Sequence, residues 1–253
     1  MARIVLLLAL GCAAAVNAAE PLRIAVAGSF QPAMQRLVPI FERSTGTRVQ
    51  WQVGSSGALY QHIRMGAGFD LFLSADRKRP QGLEHDGFAM PGSRETYALG
   101  RLVWWQPGRR QSSAPDLSQF TGRLAMANPR LAPYGAAAEA VIAHLGGRAA
   151  LSREPALAPN IAQAYQFVAS GNAAAGLLAL AQLKAFHVDD GVWMVPVEWY
   201  PRICQQSVVL KSPRASLAAR FQRFLTSAAT RKTIRDLGYA VPGDGQKRTA
   251  DGC

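Results

Sequence analysis

The sequence has little cysteine or histidine, and it has no long apolar segment beyond its N-terminal region. It contains three cysteines and four histidines in 253 residues, and no Cys-x-x-Cys pair occurs. The histidines are far apart in the sequence, at His62, His85, His144 and His187. Structural zinc sites need closely spaced Cys and His ligands, and a membrane-spanning helix needs about 20 apolar residues. These absences argue against a Cys/His metal centre and against an integral membrane protein.

Acidic residues are also scarce relative to basic ones. There are 28 Lys and Arg against 16 Asp and Glu, which gives a formal net charge of +12. A protein with such a charge could bind nucleic acid, an anionic membrane or a small anion. The cations are scattered, however, in short groups such as Arg77-Lys78-Arg79 and Arg109-Arg110, and no basic stripe carries interleaved aromatics. We therefore expect most of this charge to form a solvated surface, and we expect no nucleic-acid partner.

The first 18 residues have the pattern of a secretory signal peptide. Arg3 is followed by the apolar run Ile4 to Leu10 and by the small-residue sequence Val16-Asn17-Ala18. We predict that residues 1–18 are a leader and that the mature chain is exported to the periplasm. Leu10-Gly11-Cys12 faintly resembles a lipoprotein processing site, but Ala9 replaces the usual larger aliphatic residue, so lipid anchoring at Cys12 is not expected.

Removal of the leader leaves Cys204 and Cys253 as the two remaining cysteines. In an oxidising compartment such a pair is more often bridged than free. A disulfide between them would tie down the polar C-terminal tail, Gly243 to Gly252.

The stretch from Arg48 to Tyr60 predicts a strand, a Gly/Ser turn and a helix start. Val49, Trp51 and Val53 alternate with polar residues, and Gly54-Ser55-Ser56-Gly57 follows them. Unpaired amides at a helix start, with serine hydroxyls beside them, bind anions. An ordinary capped turn is the simpler interpretation. An esterase nucleophile elbow requires Gly-x-Ser-x-Gly, which this sequence misses by one residue.

An earlier segment repeats this arrangement. Leu22 to Ala27 reads as a buried strand, followed by Gly28-Ser29 and a helix with Pro32 in its first turn. If the two strands are parallel neighbours, both turns lie at the carboxyl edge of one sheet, where α/β proteins bind ligands.

The rest of the chain continues the alternation of strands and helices. Phe69 to Asp76 predicts a third buried strand, with Asp76 as a helix-start cap or backbone anchor rather than a functional carboxylate. Tyr97 to Trp105 has the length and the Gly interruption of a strand that crosses between domains. Tyr134 and Asn160-Ile161 mark two further helix starts in the second half. The pattern predicts an α/β fold with mostly parallel sheets.

Six segments together resemble the periplasmic molybdate-binding proteins that serve ABC transporters. Each is weak alone, but their order and spacing are specific, and they extend over most of Leu22 to Gly238. They are Val-Ala-Gly-Ser-Phe at 26–30, Gly-Ser-Ser-Gly-Ala-Leu-Tyr at 54–60, Phe-Asp-Leu-Phe-Leu-Ser-Ala-Asp at 69–76, Pro-Gly-Ser-Arg-Glu-Thr-Tyr-Ala-Leu-Gly at 91–100, Ala-Asn-Pro-Arg-Leu-Ala-Pro-Tyr-Gly at 127–135 and Asn-Ile-Ala-Gln-Ala-Tyr-Gln-Phe-Val-Ala-Ser-Gly-Asn at 160–172.

The resemblance implies a two-lobed, type II periplasmic-binding-protein fold with two crossover strands and a ligand cleft between the lobes. Lobe 1 would comprise residues 19–97 and 202–253, and lobe 2 residues 98–201. The ligand donors implied are Ser29, Ser56, Tyr134, the backbone amide of Ile161, and Gly28, which can offer only its amide. Some relatives carry a ligand-binding tyrosine where this chain has Ala179, so Tyr134 would serve instead.

The implied function is capture of molybdate and tungstate for a membrane permease of an ABC importer, without catalysis or a cofactor, by a monomer. Molybdenum would be present only within the oxyanion. Because the donors are uncharged and only donate, a fully deprotonated tetrahedral dianion fits them best. Sulfate or another oxyanion is an alternative ligand. Two other classes stay open: an exported serine hydrolase using Ser55 or Ser56 with His62, and an envelope or nucleic-acid module that rests on net charge alone.

Overall fold

The computed structural model describes residues 20–243 and residue 253. The predicted leader lies outside these residues, as do positions 244–252 of the tail. Within the described part, ten strands form two five-stranded sheets, and helices pack around each sheet. The chain therefore has the two lobes that the resemblance implied.

Lobe 1 contains the first sheet, with strand order β2-β1-β3-β10-β4. Its strands are β1 (Leu22–Ala27), β2 (Val49–Gly54), β3 (Leu71–Ser74), β4 (Glu95–Gly100) and β10 (Ile203–Val209). Its helices are α1 (Gln31–Thr45), α2 (Ser56–Arg64), α3 (Lys78–His85), α7 (Ala215–Leu225) and α8 (Ala228–Asp236).

Lobe 2 contains the second sheet, with strand order β7-β6-β8-β5-β9. Its strands are β5 (Leu102–Trp105), β6 (Leu124–Ala127), β7 (Ala156–Ala158), β8 (Ala175–Ala179) and β9 (Val192–Met194). Its helices are α4 (Pro133–His144), α5 (Ile161–Ala169) and α6 (Leu180–Ala185).

The sheets are mixed, and the prediction of mostly parallel sheets is wrong in this respect. In lobe 1, β1 runs parallel to β2 and β3, whereas β10 is antiparallel to β3 and β4. Lobe 2 repeats the pattern, with β6 parallel to β7 and β8, and β5 antiparallel to β8 and β9. These antiparallel pairs all involve β5 or β10, the strands that the chain forms after its crossings between the lobes.

The chain crosses between the lobes twice, as the resemblance implied, and the first crossing lies in the Gly-interrupted stretch from Tyr97 to Trp105. Strand β4 continues to Gly100, which pairs with Ile203, and β5 begins in the other sheet at Leu102. The lobe boundary drawn after Tyr97 therefore moves to Arg101. The sequence misplaced it because Gly100 lies within the ladder instead of ending it.

Each lobe has its own apolar core. Trp104 and Trp105 are buried in lobe 2, as expected for a strand covered on both faces. Helix α6, which the sequence did not predict, belongs to lobe 2 but places Ala181 in the core of lobe 1. The two lobes thus share packing beside the crossover strands.

Cys204 at the start of β10 is bonded to Cys253, with a Cα to Cα distance of 5.8 Å. This distance lies in the normal range for a disulfide. None of the helices in residues 20–243 is both long and apolar enough to cross a bilayer.

Candidate anion-binding site

The first helix start faces the junction of the lobes. Ser55 caps α2, and its Oγ accepts a hydrogen bond from the Ala58 amide at 3.3 Å. The Gly57 amide donates to the Leu131 carbonyl of lobe 2 at 2.8 Å. The Ser56 amide has no hydrogen-bond partner among the residues described, so this helix start retains one free donor.

The Ser56 side chain adds a second donor at the same place. Ser56 is 1% exposed, and its Oγ accepts a hydrogen bond from the Ala75 amide at 2.9 Å. Since the oxygen already accepts, the hydroxyl proton is left to donate elsewhere.

Ser29 lies in a single 3-10 turn, Gly28–Phe30, directly after β1. Strands β1 and β2 are parallel neighbours, with Ala27 opposite Gly54, so this turn and the α2 start lie at the same sheet edge. The Ser29 Oγ is 3.2 Å from Nε2 and 3.4 Å from Oε1 of Gln205. The Tyr239 hydroxyl donates to the Ser29 carbonyl and so fixes the turn.

Gly28, in the same turn, lies against the start of α5 in lobe 2. A Cβ atom at Gly28 would lie 3.1 Å from Asn160 Oδ1 and 3.4 Å from Ala162 Cβ, both at the start of α5. Any side chain here would push against lobe 2. Glycine therefore leaves room for α5, in addition to the backbone amide that the resemblance implied.

The start of α5 presents a single unpaired amide. Asn160 caps the helix by accepting from the Gln163 amide at 3.1 Å. With its amide oriented to satisfy both neighbours, Gln182 accepts from the Ala162 amide at 3.2 Å and donates to the Ile161 carbonyl at 3.3 Å. The Ile161 amide has no partner in the described part of the chain, and it is the donor that the resemblance implied.

Tyr134 lies in the first turn of α4, after Pro133, and reaches from lobe 2 to the crossover strands. It is 1% exposed, and its hydroxyl makes no hydrogen bond of normal distance and angle to any described residue, although Gln205 and the Arg101 backbone lie near it. A Cβ at Gly100 would lie 2.2 Å from this hydroxyl, so the contact requires glycine there. A buried, unpartnered hydroxyl is costly and indicates a missing partner.

Tyr134 is an uncharged donor across the physiological pH range. Burial raises the pKa of its phenol, and the nearby Tyr200 raises that pKa further, while Gln205 and the Arg101 backbone offset part of the rise. The carboxylate of Asp76 accepts from the Arg79 amide at the start of α3 and pairs with the Arg79 guanidinium. The prediction for Asp76 was a helix-start cap or a backbone anchor, and its carboxylate anchors the Arg79 amide from one residue ahead of the N-cap, Arg77.

The arrangement does not support a serine hydrolase. A nucleophilic serine needs a base within hydrogen-bond distance. The Ser56 Oγ accepts from a backbone amide, and no hydrogen bond joins it to a histidine in residues 20–243. His62 is exposed on α2.

These observations agree with comparisons to known proteins. The family of bacterial extracellular solute-binding proteins matches residues 22–240. The chain belongs to this family. It is therefore a solute-binding protein and not an enzyme.

Several relatives are similar over nearly the full length. The molybdate-binding protein ModA of Azotobacter vinelandii is 37% identical, with 95% of this chain and 98% of the relative covered. The ModA protein of Rhodobacter capsulatus is also 37% identical, with 93% and 94% covered. The solved structure of the Azotobacter vinelandii periplasmic molybdate-binding protein has a TM-score of 0.83 at 35% identity and covers 87% of this chain and 99% of that one.

The structure brings the five predicted residues to one junction between the lobes. Ser29 and Ser56 lie on neighbouring turns of lobe 1, Gly28 contacts the α5 start that carries Ile161, and Tyr134 reaches the crossover strands. Sequence reasoning missed Gln205. Two adjacent glutamines, Gln205 and Gln206, in a strand that is buried throughout are a recognisable polar signal.

Proposed function

We propose that this solute-binding protein captures molybdate in the cleft between its lobes. The observation that carries the proposal is a set of uncharged donors contributed by both lobes. These are the Ser29 and Ser56 hydroxyls and the Ser56 amide from lobe 1, and the Ile161 amide and Tyr134 hydroxyl from lobe 2, with the Gly28 amide beside them.

A desolvated dianion suits such a donor set. Each charge-assisted hydrogen bond from an amide or hydroxyl is worth about 1.5–3 kcal/mol. No arginine or lysine belongs to the set, so affinity would come from oriented dipoles at helix starts rather than from ion pairs. An oxyanion without protons can accept a hydrogen bond from every donor of the site. A protonated oxyanion would also carry an O–H donor, which would need an acceptor in the protein.

Tungstate has the same shape and charge as molybdate, and we expect it to bind as well. The relatives are named for molybdate, which supports molybdate over sulfate as the physiological ligand. Sulfate carries the same charge but is smaller, so a cleft with the dimensions of molybdate would bind sulfate more weakly.

The loaded protein would deliver its ligand to the membrane permease of an ABC importer. We place this step in the periplasm, because residues 1–18 have the pattern of a secretory leader. We expect the protein to act as a monomer, because both sets of donors come from one chain.

The test is calorimetry and thermal shift with molybdate, tungstate, sulfate and phosphate. A ligand that binds only the folded state must raise the melting temperature. The Ser29→Ala/Ser56→Ala double variant should lose about 100-fold or more in molybdate affinity, since two charge-assisted bonds are removed.

The matched control is Ser44→Ala/Ser170→Ala, which removes one serine hydroxyl from each lobe. Each hydroxyl donates to a carbonyl of its own helix, and the Ser170 Oγ also accepts from Asn172 Nδ2 at 2.9 Å. This control should bind like the unmodified protein. Undiminished molybdate binding by the Ser29/Ser56 double variant would refute the site. Sulfate binding as tight as molybdate binding would refute the assignment of molybdate.

A further inference from the structure

Gln205 is a fully buried polar residue at the meeting point of the two lobes. It lies in β10, opposite Ala98 of β4, and is 0% exposed. A buried side-chain amide costs free energy unless it makes hydrogen bonds, so its presence within a sheet calls for a physical reason.

The Gln205 side chain contacts one of the proposed ligand donors, the Ser29 hydroxyl of lobe 1. Its Nε2 is 3.2 Å and its Oε1 is 3.4 Å from the Ser29 Oγ. It also lies close enough to the Tyr134 hydroxyl to influence its pKa. Gln205 therefore lies beside the Ser29 hydroxyl, in the buried interior.

A side-chain amide controls where a neighbouring hydroxyl directs its proton. The Ser29 hydroxyl can donate to Gln205 Oε1 or accept from Nε2, and the contact with Nε2 is the shorter of the two. When Nε2 donates to the Ser29 oxygen, the Ser29 proton is free to point into the cleft. If a carboxylate stood at this position, it could only accept, and it would draw the Ser29 proton towards itself. The hydroxyl would then present a lone pair to the guest instead of a proton.

We infer that Gln205 is a positioning residue that directs the Ser29 proton into the cleft and thereby restricts the site to oxyanions that carry no proton. This inference rests on the proposed function of the same cleft. Gln205 itself does not contact the guest. It acts through Ser29. Because its amide is uncharged, it does not draw the Ser29 proton away from the cleft, and every site group then donates a hydrogen bond to the ligand.

The surroundings of Gln205 make this role testable by pH. The titratable groups packed nearby are Tyr97, Tyr134 and Tyr239, and burial raises the pKa of each phenol. All three stay uncharged at neutral and mildly alkaline pH. A carboxyl introduced at position 205 would be the group that titrates in this window.

The experiment is calorimetric titration of the full mature chain and its Gln205→Glu variant with molybdate and phosphate, from about pH 6 to about pH 9, where molybdate stays fully deprotonated. Burial raises the pKa of the introduced carboxyl, so it is neutral at the acidic end and charged at the alkaline end. We expect the variant to lose molybdate affinity by about 100-fold or more as the pH rises, while the unmodified protein changes by less than about 3-fold.

A second variant, Gln205→Met, covers the case in which the carboxyl prevents folding. It removes the amide at similar volume and leaves the Ser29 hydroxyl free to turn. The ratio of molybdate to phosphate affinity should fall by about 10-fold, in line with the loss of one oriented bond. An equal loss for both anions would indicate a purely structural role and would overturn the inference.

The control is Gln222→Glu, which changes another buried glutamine that is bonded to a serine hydroxyl. Gln222 donates to the Ser207 Oγ at 2.8 Å and to the Ser93 carbonyl, away from the five site residues. It should show no dependence of molybdate affinity on pH. If the unmodified protein binds molybdate and Gln205→Glu binds equally well at every pH, the inference fails and the proposed function stands. If the unmodified protein binds none of the oxyanions, the proposed function itself fails.

Discussion

Replacing Gly57 by alanine tests whether binding depends on closure of the lobes. Gly57 lies in the first turn of α2 in lobe 1, and its amide donates to the Leu131 carbonyl of lobe 2. A Cβ at this position would be 2.8 Å from the Leu131 oxygen, 3.1 Å from the Leu131 Cα and 3.0 Å from Arg79 Nη2. The arginine end can move, but the Leu131 backbone can move only if the lobes separate.

The cost falls on the closed state alone, because Leu131 belongs to the opposite lobe. Overpacking of this kind costs about 1–3 kcal/mol, which corresponds to a loss of about 5- to 150-fold in affinity. Within α2 itself, alanine is favoured over glycine by about 1 kcal/mol. Gly57→Ala should therefore weaken molybdate binding while leaving the stability of the ligand-free protein unchanged or slightly raised.

Calorimetry gives the affinity, and urea unfolding without ligand gives the stability. The control is Gly68→Ala, where the nearest atom to the added Cβ is Arg23 Nη1 at 3.5 Å and the backbone φ is not positive. The control should retain normal affinity. If Gly57→Ala binds molybdate as tightly as the unmodified protein, the contact between Gly57 and Leu131 does not belong to the bound state and the reasoning is wrong.

Three further predictions concern the donor set, charge and acid stability. Tyr134→Phe should weaken molybdate binding by about 10-fold or more in calorimetry, since one donor is lost, but should not destabilise the ligand-free protein in urea, because the hydroxyl has no partner there. A cavity of about 550 Å³ beside the Gly57 to Leu131 bond is lined by Lys78, Arg79 and Arg130, among others. Lys78→Gln/Arg130→Gln should slow molybdate association in stopped-flow at low salt, and the difference should shrink as salt is added. The Arg94 guanidinium lowers the pKa of Glu84, so the stability that Glu84 contributes is present above its ordinary carboxyl pKa and is lost as the pH falls through the lowered value. Glu84→Gln should therefore reduce stability at neutral pH and have no effect in strong acid, as measured by urea unfolding.

Much of the fold could be predicted because local rules determine it. The strand Leu22–Ala27 has the predicted bounds, and Ser55 and Asn160 cap their helices as expected from cap chemistry. Strand β7 and helix α6 were missed, since segments of 3 and 6 residues are too short to show a period. The error about mostly parallel sheets has a different cause: strand direction depends on which strands pair, and local sequence does not encode that.

The candidate site divides in the same way. The sequence by itself determined the helix starts and the hydroxyls beside them. A glycine after a strand permits a tight turn, and a serine there caps the helix that follows, so both effects are local. Only the tertiary structure decided which amides stay free. The Gly57 amide is used by Leu131, the Ala162 amide by Gln182, and Ser29 is bonded to Gln205, which is 176 residues away along the chain. Hydrogen-bond satisfaction is a property of atoms in contact, and these contacts exist only because two separate lobes meet at one junction.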